Sequence, residues 1–128
     1  MNILDATIET IVPHGELLYV QARAADSMFA ILALTPLELP QKVHLLFKET
    51  DILLAHKDSA LLSPNVYAAS VQSIIKGELF WQVAFGFGAH SLVALVLAEN
   101  AKAQNLESQT EFLWSIKPTE ITLQSDDT

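Results

Sequence analysis

The 128-residue sequence contains no cysteine. A disulfide scaffold, a thiolate metal site and a cysteine nucleophile are therefore all excluded. Basic residues are also scarce: seven Lys and Arg stand against fifteen Asp and Glu, which gives a net charge of −8. Because nucleic acids and anionic membranes are recognised by clustered positive charge, we expect neither as a partner.

The sequence also lacks long apolar segments. It has no uninterrupted apolar stretch of about 18 residues, and its N-terminus lacks the basic and then apolar regions of a signal peptide. We therefore expect a cytoplasmic protein. Hydrophobic residues still make up 51% of the sequence and charged residues 17%, which is typical of a folded chain. The length fits one domain, or two very small ones that share an interface.

The sequence aligns with itself when Asn2 is laid on Asn65. Polar and apolar positions then fall in phase, and less common residues recur in the same order: Gly15 with Gly77, Lys48 with Lys117, and Thr50 with Thr119. This self-similarity predicts two tandem modules, residues 1–60 and 61–128.

Within each module, apolar residues alternate with other residues at the period of a β-strand. Val43, Leu45 and Phe47 would share one face of a strand, as would Phe112, Trp114 and Ile116. Turn signals separate such segments, and only residues 98–105 have a helical composition. The pattern predicts an all-β fold of two tandem OB-like, five-stranded β-barrels with a short helix. Five aromatic residues are predicted to be core or subunit contacts: Trp81, Phe85, Phe87, Phe112 and Trp114.

Catalytic signatures are not recognisable in the sequence. It shows no Ser-His-Asp order, glycine-rich phosphate loop or paired acid motif. The four histidines, His14, His44, His56 and His90, lack the spacing of metal ligands. We therefore expect a protein that is not an enzyme and has no metal-cation site.

A short motif closes both modules. Lys48-Glu49-Thr50-Asp51-Ile52 follows an apolar strand in the first, and Lys117-Pro118-Thr119-Glu120-Ile121 follows one in the second. This motif resembles the closing motif of the molybdate-binding Mop or TOBE family. The segments around Asn2 and Ser63-Pro64-Asn65 resemble the family's opening. Two such copies without a DNA-binding helix-turn-helix resemble a molbindin with two Mop units.

The resemblance implies a site for molybdate or tungstate and no organic cofactor. A tetrahedral dianion needs directed donors and an opposite charge, which hydroxyls, backbone N–H groups and lysine provide. In the family such sites lie between subunits or copies, which implies a homotrimer that stores, buffers or senses the anion. The implied oxyanion-binding residues are Lys48, Thr50, Lys117, Thr119, Ser63, Thr35, Asn2 and Asn65.

The sequence also departs from the family pattern. The arginine that precedes the family's Asn is absent from both copies, and Glu38 occupies the place of a Ser after the third strand of the first. These departures favour an alternative, a regulatory or oligomerisation module with degenerate anion sites that acts through protein contacts. Without the resemblance, the lysines would be read as solvated strand ends and the threonines as ordinary strand residues. A nucleic-acid-binding OB module is a third reading, which the net charge disfavours.

Overall fold

The computed structural model describes residues 1–34 and 39–126, and it consists mainly of β-strands. Short 3₁₀ helices at Glu49–Asp51 and Pro118–Glu120 interrupt the strands, and α1 (Ala98–Ala103) is the one α-helix of the described ranges. The strands are β1 (Asn2–His14), β2 (Leu17–Ala24), β3 (Ser27–Leu34), β4 (Lys42–Phe47), β5 (Leu53–His56), β6 (Val66–Lys76), β7 (Phe80–Phe87), β8 (His90–Leu97), β9 (Glu111–Ser115) and β10 (Thr122–Ser125).

The strands form two five-stranded antiparallel sheets that exchange strands. The first sheet has the order β10-β4-β1-β2-β3, and the second has the order β5-β9-β6-β7-β8. Thus β5 follows β4 in the chain but pairs with β9, while β10 follows β9 and pairs with β4. Each sheet therefore takes one edge strand from the other half of the chain.

The two sheets have the same strand order once the second is renumbered from its own first strand. They form two OB-like modules, which confirms the predicted all-β fold class. Because of the exchange, a cut between residues 60 and 61 would not separate the sheets. The division into tandem copies at that point stays a prediction about the sequence.

Tight turns connect β2 to β3 and β7 to β8, and the two turns meet. Ala25 and Asp26 both have positive φ, at 49° and 62°, the backbone of the two-residue turn that matches strand twist. Gly88 begins the other turn with a φ of 61°. A Cβ at Gly88 would lie 2.6 Å from the Cβ of Ala25, so glycine permits this close approach as well as the positive φ.

The two sheets share one hydrophobic core. Val43, Leu45 and Phe47 on β4 are at most 1% exposed, as the alternation predicted. The five aromatic residues predicted to be core or contact residues are all buried in the chain. Seven rings from both halves make contact in the interior, with centroids 4.5–6.1 Å apart: Phe29, Phe47, Tyr67, Phe85, Phe87, Phe112 and Trp114. The modules therefore fold against each other.

Helix α1 covers one side of the second sheet and is shorter than predicted. Ala98 and Ala101 are buried against Trp81. The helix ends because Asn105 takes a positive φ of 53°, and Leu106 N–H donates to the carbonyl of Ala101 at 3.0 Å, the bond of a Schellman cap. No helix in the described ranges is long and apolar enough to span a membrane.

Candidate functional site

The opening asparagine of each predicted module binds the backbone of the opposite sheet. Asn2 is 5% exposed. Its Nδ2 donates to the carbonyl of Val93 at 2.9 Å, and its Oδ1 accepts from Val93 N–H at 2.9 Å. Val93 lies on β8, the edge strand of the second sheet. A single amide thus holds the start of the first sheet against the second.

Asn65 makes the reciprocal contact and is fully buried. Its Oδ1 accepts from Ala30 N–H at 2.8 Å, and its Nδ2 donates to the carbonyls of Ala30 and Ile116 at 2.9 and 3.0 Å. The Tyr67 hydroxyl lies 3.3 Å from Oδ1 and donates to the carbonyl of Met28 at 2.6 Å. An amide nitrogen has two N–H groups, so Asn65 has none left for a ligand in this arrangement. The assignment of Asn2 and Asn65 to anion binding stays a prediction.

Each Lys-x-Thr motif lies beside the asparagine of its own module. We call residues 48–51 the first Lys-Thr turn and residues 117–120 the second. Asn2 pairs with Phe47, the residue before Lys48, and Ile116 N–H donates to the Asn65 carbonyl just before Lys117. The first turn also packs against β8, and the second packs against β3. The structure therefore brings each Asn and Lys-x-Thr motif to one end of a sheet, beside an edge strand of the other.

Backbone hydrogen bonds shape both turns in the same way. Asp51 N–H donates to the Lys48 carbonyl and Glu120 N–H to the Lys117 carbonyl, both at 3.0 Å. The lysine at the start of each turn is in an extended conformation. Ile52 and Ile121 follow as buried anchors at 5% and 4% exposure. An apolar residue thus fixes each turn to the core while its polar side chains remain outside.

The side chains that could bind an anion are exposed in both turns. Lys48, Thr50, Lys117 and Thr119 all lie at the surface. Within residues 1–34 and 39–126, neither ammonium has an ion pair and neither hydroxyl has a hydrogen bond to a side chain or backbone. Each turn thus offers one positive charge and one hydroxyl, a minimal donor set for a tetrahedral oxyanion.

The two turns differ in the number of their carboxylates. Acidic residues flank Thr50 on both sides, whereas Pro118 and Glu120 flank Thr119. The Asp51 carboxylate accepts a hydrogen bond from Lys48 N–H at 3.0 Å. A hydrogen bond from the chain's N-terminal ammonium lowers the pKa of Glu49, so this carboxylate stays charged. The second turn therefore has one carboxylate fewer than the first, where the N-terminal ammonium offsets the charge of Glu49.

Of the two remaining predicted ligands, the structure describes Ser63 but not Thr35. Ser63 is half-buried, and its Oγ accepts a hydrogen bond from Asn65 N–H at 3.3 Å. Thr35 lies outside the described residues, as does Glu38. No group of three or more His, Asp or Glu residues with metal-binding geometry occurs among the described positions. A cleft of about 710 Å³ lies between β5, β8 and α1. Asn100 is among its lining residues, but none of the eight predicted ligands is.

Two OB-like modules with a common core and exchanged edge strands define the class of fold. No protein-family model matches the chain, and no curated protein matches it in sequence. Among solved structures the chain is similar to the cytoplasmic molybdate-binding protein ModG, in a crystal form with molybdate bound. The match has a TM-score of 0.87 and covers 97% of this chain and 95% of ModG, at 16% sequence identity. At that identity the likeness concerns the fold.

Proposed function

We propose that this chain binds molybdate or tungstate reversibly at its two Lys-Thr turns and serves storage, homeostasis or sensing of the anion in the cytoplasm. The single observation that carries the proposal is the placement of Lys48-x-Thr50 and Lys117-x-Thr119 on matching exposed turns. ModG, which has the same fold, binds molybdate. The proposal needs no organic cofactor, and it assigns the chain no catalysis.

One Lys-Thr turn supplies too few donors to replace the hydration of a dianion. A tightly bound tetrahedral anion requires several short, directed hydrogen bonds. Each turn offers one ammonium and one hydroxyl at an exposed surface. We therefore propose that a second subunit completes the site, in a homo-oligomer with the trimeric arrangement that the family resemblance implies.

Exposed apolar residues support this self-association. At corresponding ends of the two sheets, Leu17 pairs with Leu34 and Phe80 pairs with Leu97. All four side chains are exposed, and Leu34 is 71% exposed. Clustered apolar surface of this kind marks contact sites in soluble proteins. A second copy of the chain would remove both clusters from water.

Calorimetric titration with molybdate, tungstate and sulfate, combined with native mass spectrometry, tests the proposal. The parent protein should release or absorb heat with molybdate or tungstate and should show a mass that is a multiple of the single chain. Loss of a charge-assisted hydrogen bond weakens binding by roughly 10- to 100-fold, and we expect that loss for Lys117→Ala. We expect a comparable loss for Lys48→Ala, because its turn offers the same ammonium and hydroxyl.

Lys102→Ala is the matched control, since Lys102 is an exposed lysine in the last turn of α1. Its affinity should equal that of the parent. If none of the three anions binds, the proposal is wrong, and the regulatory module that acts through protein contacts becomes the better reading. An affinity unchanged in both Lys48→Ala and Lys117→Ala would show that any binding occurs elsewhere.

A further inference from the structure

Asn65 holds the residue that precedes the second Lys-Thr turn by two hydrogen bonds. Its Nδ2 donates to the Ile116 carbonyl at 3.0 Å, and its backbone carbonyl accepts from Ile116 N–H at 3.4 Å. Both residues are at most 1% exposed, so these bonds lie in the low-dielectric interior, where they are stronger than in water. A single residue therefore fixes both backbone groups of Ile116.

The bond to the Ile116 carbonyl also fixes the start of the turn itself. The C=O of Ile116 and the N–H of Lys117 belong to one planar peptide group. Lys117 then takes an extended conformation, and Pro118 restricts the next φ to about −65°. The backbone that carries the Lys117 side chain thus begins at a peptide plane whose orientation Asn65 sets.

The same side chain is anchored at its other end in the first sheet. Its Oδ1 accepts from Ala30 N–H at 2.8 Å, and its Nδ2 donates to the Ala30 carbonyl at 2.9 Å. Ala30 lies in β3, an edge strand of the first sheet. Because both N–H groups of Nδ2 are engaged, Asn65 connects β3 to the second Lys-Thr turn without a donor left over for an anion.

The first Lys-Thr turn is held in a different way. Asn2 takes the place of Asn65, but among the described residues its side chain bonds to Val93 and not to Phe47, the counterpart of Ile116. The N–H of Lys48 donates instead to the Asp51 carboxylate at 3.0 Å. The first turn is therefore closed by one of its own side chains, whereas the second is held by Asn65.

We propose that Asn65 is a positioning residue for the second Lys-Thr turn and does not itself contact the anion. The inference rests on the proposed function for the nature of the site, but the control of the turn by Asn65 can be tested without a ligand. Donors that are already ordered bind more tightly than donors that must be ordered on binding. Loss of Asn65 should therefore weaken binding at the second turn and leave the first turn unchanged.

Hydrogen exchange at two matched amides of the full chain tests the control of the turn. Asp51 N–H and Glu120 N–H close the two turns with bonds of equal length, 3.0 Å. In the ligand-free protein, Asn65→Ala should raise the exchange rate of Glu120 relative to Asp51 about 5- to 10-fold, as for the loss of one hydrogen bond. The ratio removes any general loss of stability. Asn2→Ala is the matched control and should change this ratio by less than about twofold.

Molybdate titration of proteins with one intact turn tests the consequence for binding. Lys48→Ala leaves the second turn intact, and Lys117→Ala leaves the first. We expect Asn65→Ala to lower the affinity about 5- to 10-fold in the Lys48→Ala protein and not to lower it in the Lys117→Ala protein. A general folding defect would lower both equally. Asn65→Ser retains a hydroxyl, guards against a folding failure of Asn65→Ala, and should have a smaller effect of the same selectivity.

The positioning role is overturned if Glu120 and Asp51 respond equally to Asn65→Ala, or if the first turn loses as much affinity as the second. It is also overturned if exchange of Glu120 rises selectively while the affinity of the second turn stays the same. Failure of the proposed function is distinguishable, because the parent protein would then bind no molybdate. In that case the exchange ratio alone decides whether Asn65 controls the turn.

Discussion

The two sheets have the same topology but fill their interiors with different side chains. In the second sheet Tyr67 is paired with Trp114, whereas Leu4 is paired with Leu45 at the matching place in the first. Two phenylalanines of β7 stand where β2 has two alanines. The second sheet thus supplies five of the seven core rings, and the first supplies two, Phe29 and Phe47.

The features that both sheets keep are polar and lie at their ends. Asn2 and Asn65 each bind the fourth residue of the opposite edge strand. The Lys-Thr turns follow at the same positions. A core tolerates an exchange of large and small side chains between its two sides as long as the total volume is filled. A side-chain amide, in contrast, forms hydrogen bonds only with N–H and C=O groups at particular positions. The correspondence between the halves is therefore clearest in residues that make directional contacts.

The largest expected effect on the free energy of unfolding distinguishes Trp114 from its counterpart Leu45. Trp114 is fully buried and contacts rings from both sheets, including Phe29, Phe47 and Tyr67. Trp114→Ala should lower the free energy of unfolding by about 4 kcal/mol, and Leu45→Ala by about 2.5 kcal/mol. Urea denaturation measures both values.

Leu79→Ala is a control for this pair, since Leu79 is largely exposed and should cost less than about 0.5 kcal/mol. A larger loss for Leu45→Ala than for Trp114→Ala would show that the rings of the second sheet contribute less to stability than the aliphatic residues of the first.

A smaller difference is expected between the two asparagines. Asn65→Ala leaves the Ala30 N–H and two carbonyls without their side-chain partner, and it should cost about 3 kcal/mol. Asn2→Ala breaks two bonds to Val93 and should cost about 1.5 kcal/mol. Thermal or urea unfolding gives the ranking, with exposed Asn100→Ala as the control. Equal costs for Asn2 and Asn65 would contradict the asymmetry between the two interfaces.

Much of the fold follows from local patterns in the sequence. Alternation identified the buried faces of β4 and β9, and turn residues identified the hairpins. The exchange of β5 and β10 could not be predicted in this way, because a period of two shows which face of a strand is buried but not which neighbour it joins.

The candidate site was predictable to a similar degree. The Lys-Thr turns were found by recurrence of a motif. Asn65 binds Ala30, which lies 35 positions away in the sequence. His44 contacts Asp5 and Asp126, which lie 39 and 82 positions away. No local pattern specifies such contacts. The sequence therefore located the polar residues of each module but not their partners.

The smallest expected effect on the free energy of unfolding concerns the two turns at which the sheets meet. Ala25 has a φ of 49° in the first turn, where the second turn has Gly88 at 61°. An L-residue in this region is strained, whereas glycine is not, although glycine also loses more conformational entropy on folding. We expect Ala25→Gly to raise the free energy of unfolding by about 0.5 kcal/mol, measured as a shift of the urea midpoint. Ala89→Gly, at a neighbouring turn position without positive φ, should lower it by a similar amount. If both substitutions lower the free energy of unfolding equally, the contact of Ala25 with the opposite turn offsets its backbone strain. The two turns would then be energetically equivalent despite their different residues.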